Sequence, residues 1–275
     1  PRGTLKGEPA AKVVRALLDL PGPWRVRELA DVANASVGSV YRVMQFLEDQ
    51  ELAQRLPDRR FLVSDWAALL RRWSDDYQLL RSNAVSHWIA PRGLSDLLDT
   101  VREEEDVDYA LTGSVAAAAW AAYAPARSAM VYVRNVERAA ANWGLRATEA
   151  GANVLLIEPT YPVVMERAMT ALEGLTVARP AQVAVDLMTG PGRAPAEANE
   201  LIEWMRAHEQ SWSCLLYTSP SPGGGSGDLL VSARSALLDA AEALSEQAAV
   251  DGLIARPAWR AARHDLDTLW GCQVA

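Results

Sequence analysis

The chain has 275 residues, a mass of 29.9 kDa and a formal net charge of -8, with 50% hydrophobic and 23% charged residues. That balance excludes wholesale disorder and leaves room for one or two domains. Two cysteines, Cys214 and Cys272, exclude a disulfide scaffold and a cysteine-based zinc site, and His87, His208 and His264 are too scattered to share a metal.

No apolar run is long enough to span a bilayer and no signal peptide opens the chain, so the expectation is a cytoplasmic protein with no membrane partner. The first residue is Pro1 rather than Met, which points to a piece of a longer chain. The 25 Arg against 2 Lys follow from a GC-rich genome rather than from chemistry. Residues 1–63 hold 10 Lys+Arg and 8 Asp+Glu, whereas the remainder holds 17 and 27. The acidity therefore belongs to the later part, and the first 63 residues can still meet a polyanion.

Residues 9–20 carry Ala10, Val13, Val14, Leu17 and Leu18 at helical spacing, and Pro21-Gly22-Pro23 stops that helix. A short extended piece, Trp24–Val26, leads into a short helix over 27–33 with Leu29 and Val32 inward. After the turn at 34–36, Ser36 is placed to cap a third helix over 37–49, whose inward face is Val40, Val43, Met44 and Leu47. Residues 52–56 and 61–63 flank Pro57-Asp58-Arg59-Arg60, a hairpin pattern with a basic tip. From Asp65, a potential cap, the chain turns helical through Trp66, Leu69, Leu70, Trp73 and Tyr77, whose aromatic members read as core or domain interface.

Further on, Pro91-Arg92-Gly93 breaks the chain before a helix over 94–104, with Glu103–Asp106 as its solvated end. Strand-like runs at 109–111, 130–133, 154–157 and 183–187 then alternate with helices at 115–123, 136–143 and 163–172. A turn at Gly190–Arg193 precedes a closing helix over 196–209 with Leu201, Trp204 and Met205 inward. The expected class is α+β: a helix-turn-helix unit with a hairpin, followed by an α/β domain. Residues 214–222, CLLYTSPSP, resemble the translation of a transposon-end sequencing adapter, and GGGSGD after them reads as a flexible linker. That junction stands apart from the fold as a fusion scar would, and residues 229–250 read as an Ala-rich amphipathic helix.

The constellation with most chemistry is residues 9–63. A short second helix and a tight turn hold the third helix out from the body, as entry into a DNA major groove requires. With 40, 43, 44 and 47 inward, Ser39, Tyr41, Arg42 and Gln45 are expected to face outward, and Arg42 can reach a guanine edge or a phosphate. Ser36 and the free amides of Val37 and Gly38 suit a phosphate oxygen. Arg55, Arg59 and Arg60 are expected on the hairpin, where they would touch backbone or minor groove.

Gly113-Ser114 ends a strand and opens a helix, as nucleotidyltransferase folds begin. Such enzymes need a carboxylate pair on the next strand to hold Mg²⁺, and Met130–Arg134 offers none. Asp186, expected on a later strand, matches at most a third ligand. No nucleophile–base pair can be built around His87 or His208. No catalytic residue, cofactor or metal is expected.

The stretch AAKVVRALLDLPGPWRVRELADVANASVGSVYRVMQFLEDQELAQR resembles the winged helix-turn-helix of IclR-type bacterial regulators, most specifically in ASVGSVYRVMQFLEDQELA. YALTGSVAAAAWAAYAP, GANVLLIEP and QVAVDLMTGPGRAPAEANELIEWM resemble bacterial regulators related to AbiEi-type antitoxins of type IV toxin–antitoxin pairs. The resemblance implies a winged helix over 1–65, a helical connector over 66–95 and an α/β domain over 96–212 that confers antitoxin activity; the Gly113-Ser114 opening without its carboxylate pair reads as a degenerate nucleotidyltransferase fold. A linker at 213–228 and a helical tail at 229–275 complete the division. It further implies an autoregulating DNA-binding transcriptional regulator, working as a homodimer on a double-stranded operator, with a cognate toxin as partner. Two alternatives stand beside it: a nucleotidyltransferase-like enzyme acting on nucleotide or RNA, and a protein-binding antitoxin that no longer touches DNA.

Overall fold

The computed structural model describes residues 4–209 except 21, 105 and 173, together with Trp212. The linker expected over 213–228 and the helix expected over 229–250 lie outside the described residues. The first helix, α1, runs Glu8–Asp19, with Pro9 in its first turn, where no amide partner is lost. It was expected to bury one stripe. Instead nine of its twelve residues are buried, Arg15 and Asp19 included, because it is enclosed by other elements rather than lying on the surface.

Helix α2 spans Val26–Val32, and Glu28 accepts the Arg25 backbone N–H at 3.0 Å to close its first turn. Asn34, with φ of 45°, makes the left-handed step in the turn after it. Helix α3 spans Val37–Asp49, with the Ser36 hydroxyl accepting from the Ser39 amide at 3.1 Å. The hairpin is β1, Gln54–Arg55, paired antiparallel with β2, Phe61–Leu62. Trp24 pairs with Phe61 in both directions, at 2.9 and 2.8 Å, so the extended piece before α2 serves β2 as a third strand.

Asp65 caps α4, Trp66–Asp76, by accepting from the Ala68 amide at 2.9 Å. Helix α5 is one turn, Leu79–Ser82. Next comes β3, Ala84–Ile89, a strand where a helical connector was expected. Then follow α6 (Leu94–Glu103), β4 (Tyr109–Thr112), α7 (Gly113–Ala117), β5 (Ala129–Val133), α8 (Val136–Asn142), β6 (Arg146–Ala147) and β7 (Val154–Glu158). Helix α7 is shorter than the expected 115–123, giving way to turns after Ala117.

Two expectations fail beyond this. Residues 163–172 are not a helix: a 3₁₀ turn over Pro162–Val164 is followed by β8, Met169–Ala171, which pairs with β9, Leu175–Val177. Arg167 and Leu172, with φ of 59° and 47°, mark where the chain leaves helical geometry. Residues 183–187 are not a strand but the centre of α9, Pro180–Met188, in which eight of nine residues are buried. A helix covered on every side shows a continuous apolar run, and period alone does not separate it from a buried strand. The last described helix, α10, is Ala194–Ala207, with Trp204 half-buried rather than inward.

The seven-stranded sheet has the order β6-β3-β7-β5-β4-β9-β8 and is mixed, parallel only at β5–β7 and β4–β9. The class is therefore α+β. Strands β4 and β5 are buried throughout. Ala110 lies opposite Tyr132 in the register, so alternation puts Ala110, Thr112, Met130 and Tyr132 on one face and Tyr109, Leu111, Val131 and Val133 on the other. The first face meets α9 through Asp186. On the second, Tyr109 meets Trp143, ring to ring at 5.8 Å. Trp212 is buried, set edge-on against Trp66 at 5.0 Å, and donates to the Met205 carbonyl at 2.7 Å.

Candidate nucleic-acid interface

The 3.6-residue period of α3 divides it into two arcs. Val40, Val43, Met44 and Leu47 are buried between 0 and 7% exposure. Val37, Gly38, Tyr41, Arg42, Gln45 and Asp49 are exposed and form one continuous strip on the opposite side. Of the outward residues expected from sequence, Tyr41, Arg42 and Gln45 are there. Ser39 is not: it is 8% exposed, on the flank of the buried arc one turn before Val43. Its hydroxyl lies 2.9 Å from that of Ser36 and accepts from Arg42 Nη2 at 3.3 Å. Ser36 and Ser39 therefore cap the helix and orient the Arg42 guanidinium, which leaves Arg42 itself on the exposed strip.

The hairpin arginines do three different things. Arg55 is bidentate to Glu48 of α3, at 3.2 and 3.0 Å, and stands over the Phe61 ring at 4.7 Å. The Glu48 carboxylate raises the hold of Arg55 on its proton. Arg55 is thus a strut between hairpin and helix rather than a free cation. Arg60 pairs with Asp58 at 2.6 Å, folded back on the tip. Hydrogen bonding from the Arg60 backbone holds the Asp58 carboxyl below its usual range. Arg59, at φ of 66°, is exposed, and among the described residues its side chain has no partner. It is the hairpin arginine free to meet a phosphate.

Sequence reasoning missed two residues here. Thr4 and Lys6 line a cavity of about 320 Å³ together with Ser39, Arg42, Val43 and Phe46, so the segment before α1 runs beside the exposed strip. Gly38 was expected to offer its amide. A Cβ there would meet nothing within 4 Å, and its φ is ordinary, so neither packing nor backbone geometry calls for glycine. A glycine inside a helical pattern costs stability unless something approaches closely.

The second region weighed from sequence is also resolved. Gly113 opens α7 with φ of 64°, and Thr112 rather than Ser114 is the N-cap residue. Asp186 sits on α9, not on a strand, and is fully buried. Its carboxylate accepts from Thr112 Oγ1 (2.6 Å), Tyr132 (2.9 Å), Tyr77 (3.0 Å) and Gln182 Nε2 (2.8 Å). Burial pushes the Asp186 carboxyl up to about 6, against those four hydrogen bonds. Burial, and then the Asp186 charge, hold the Tyr77 and Tyr132 hydroxyls well above their ordinary range, so both remain neutral donors.

The network continues into α1. Gln182 Oε1 accepts from Arg15 Nη1 at 2.9 Å. Arg15 also pairs with Asp19 at 2.9 Å and donates to the Val163 and Glu166 carbonyls. The helix that packs behind α3 is thereby tied to the helix that covers the sheet. Among the described residues, no three His, Cys, Asp or Glu side chains gather around a common ion position, and no helix is long and apolar enough to cross a membrane.

No curated protein and no solved structure matches the chain. A family profile does, over residues 55–207, described as a transcriptional regulator, AbiEi antitoxin, of type IV toxin–antitoxin systems. The match begins on β1 and runs to the end of α10, covering the sheet and its helices and leaving α1 to α3 outside it. It spans more than half of the 275 residues, and the chain accordingly belongs to the AbiEi antitoxin family of type IV toxin–antitoxin systems.

Proposed function

We propose that the chain regulates transcription by binding duplex DNA with α3 in the major groove and the β1–β2 hairpin against the backbone, as a winged helix-turn-helix of the IclR type does. The observation that carries this reading is the exposed strip Val37, Gly38, Tyr41, Arg42 and Gln45 beside a fully buried face of the same helix. Arg42 and Gln45 offer bidentate donors and acceptors to base edges, Arg59 and Lys6 offer charge to phosphates, and α2 with its turn sets the presentation. The family description as transcriptional regulator and antitoxin agrees with it. By that reading the operator lies at the chain's own promoter, two copies read paired half-sites, and a cognate toxin is encoded with it.

The chain acts without catalysis in this account. Asp186 is the acid that a nucleotidyltransferase reading would use, and its oxygens are occupied by four donors inside the core. Gel-shift titration of the full chain against duplexes from its own promoter region tests the reading, with Arg42→Ala alongside. The expected result is a saturable shift, weakened in the variant by about 1–3 kcal/mol. Equal binding by both proteins would remove α3 as the reader.

A further inference from the structure

Large apolar side chains are rarely left in water without a use when they adjoin one another. Among the described residues, four are exposed: Val37 at 51%, Tyr41 at 47%, Leu80 at 43% and Tyr123 at 51%. Two of the four are on α3, one turn apart and therefore side by side. Neither is needed for the fold's interior, which α3 fills with Val40, Val43, Met44 and Leu47. Gly38 lies beside them with open space above it, and Arg42 and Gln45 border the pair.

A protein partner would want more apolar area than two side chains amid glycine, arginine and glutamine. A base-pair edge in the major groove wants this mixture: hydrogen-bonding groups for N and O atoms, and apolar carbon for the C5-methyl of thymine. We infer that Val37 and Tyr41 read thymine methyl groups, so that the preferred half-site carries thymines next to the base contacted by Arg42. This rests on the DNA-reading role of α3 and narrows it to a sequence class.

The test first enriches bound duplexes from a random pool with the full chain. The affinity of the best duplex is then compared with that of the same duplex built with deoxyuridine in place of thymidine. Uracil keeps every hydrogen bond and lacks only the methyl group. The expected loss is about fourfold for each methyl contacted. In Val37→Ser and in Tyr41→Gln, both on the exposed strip, the thymine-to-uracil ratio should shrink by about that factor. Equal affinity of the unaltered chain for the two duplexes overturns the inference while leaving DNA binding in place. So does a ratio unchanged in both variants, since the methyl groups would then be read elsewhere. Failure to enrich any duplex instead removes the DNA-binding reading on which the inference stands.

Discussion

At the scale of single residues, the interface turns on small differences in what each side chain is free to do. Gly38 is the sharpest case. Alanine meets nothing within 4 Å there and needs no unusual φ, so Gly38→Ala should leave stability unchanged or raise it by up to about 1 kcal/mol. If a phosphate or base edge comes close to α3 at this point, the same change weakens duplex binding. Paired thermal melts and gel shifts read both effects, and a variant that binds as well as the parent contradicts the close approach. The hairpin supplies a second contrast. Arg59→Gln should keep the melting temperature and lower the slope of log affinity against log salt by about 1. Arg55→Ala should lower the melting temperature, because the Glu48 and Phe61 contacts that brace the hairpin are lost. Identical behaviour of the two variants would contradict the division between strut and free cation. Most of this surface was legible in the sequence, since the inward positions of α3 imply the outward ones. Ser39 was not, because a position on the margin of the buried arc is decided by the neighbour that covers it.

Among the elements, α1 carries more than its apolar stripe suggests. Arg15 sits three residues from Lys12 and four from Asp19, and nothing in that spacing separates a solvated i,i+4 pair from a buried one. Only the arrival of α9 and the segment 162–166 encloses it and supplies Gln182 and two backbone carbonyls. Arg15→Met should leave Asp19 buried with Arg167, at 3.5 Å, as its remaining ion-pair partner among the described residues. The cost expected for breaking such a pair is about 3–5 kcal/mol, readable by urea denaturation. A loss below about 1 kcal/mol would show that α1 docks by apolar packing alone. The same logic explains the elements misjudged from sequence. The run Val183–Leu187 is apolar at every position but Asp186, so only its neighbours decide between helix and strand. Strand β3 mixes Ser86 and His87 with Val85, Trp88 and Ile89, and its identity comes from pairing with β7 seventy residues away.

For the molecule as a whole, the polar chain from Asp19 through Arg15 and Gln182 to Asp186, Tyr132 and Thr112 joins the α1–α3 unit to the sheet. Its pH behaviour follows from Asp186. Because the folded carboxyl is raised from 3.8 to about 6, its contribution to stability is complete below about pH 4 and is lost as pH rises through about 6. The swing is on the order of 3 kcal/mol. Urea midpoints at pH 4.5 and 7.5 should therefore fall with rising pH by more in the parent chain than in Asp186→Asn, where nothing ionises at that position. Equal falls in the two proteins would place the carboxyl's titration outside this window.

The central claim is that α3 lies in the major groove of duplex DNA. Methylation interference tests it most directly, since dimethyl sulfate marks guanine N7 in the major groove and adenine N3 in the minor groove. With duplexes bound by the full chain, the account predicts exclusion of strands methylated at one or more guanine N7 positions within each half-site, and relief of that exclusion in Arg42→Ala. Binding that tolerates guanine N7 methylation throughout the site would contradict it.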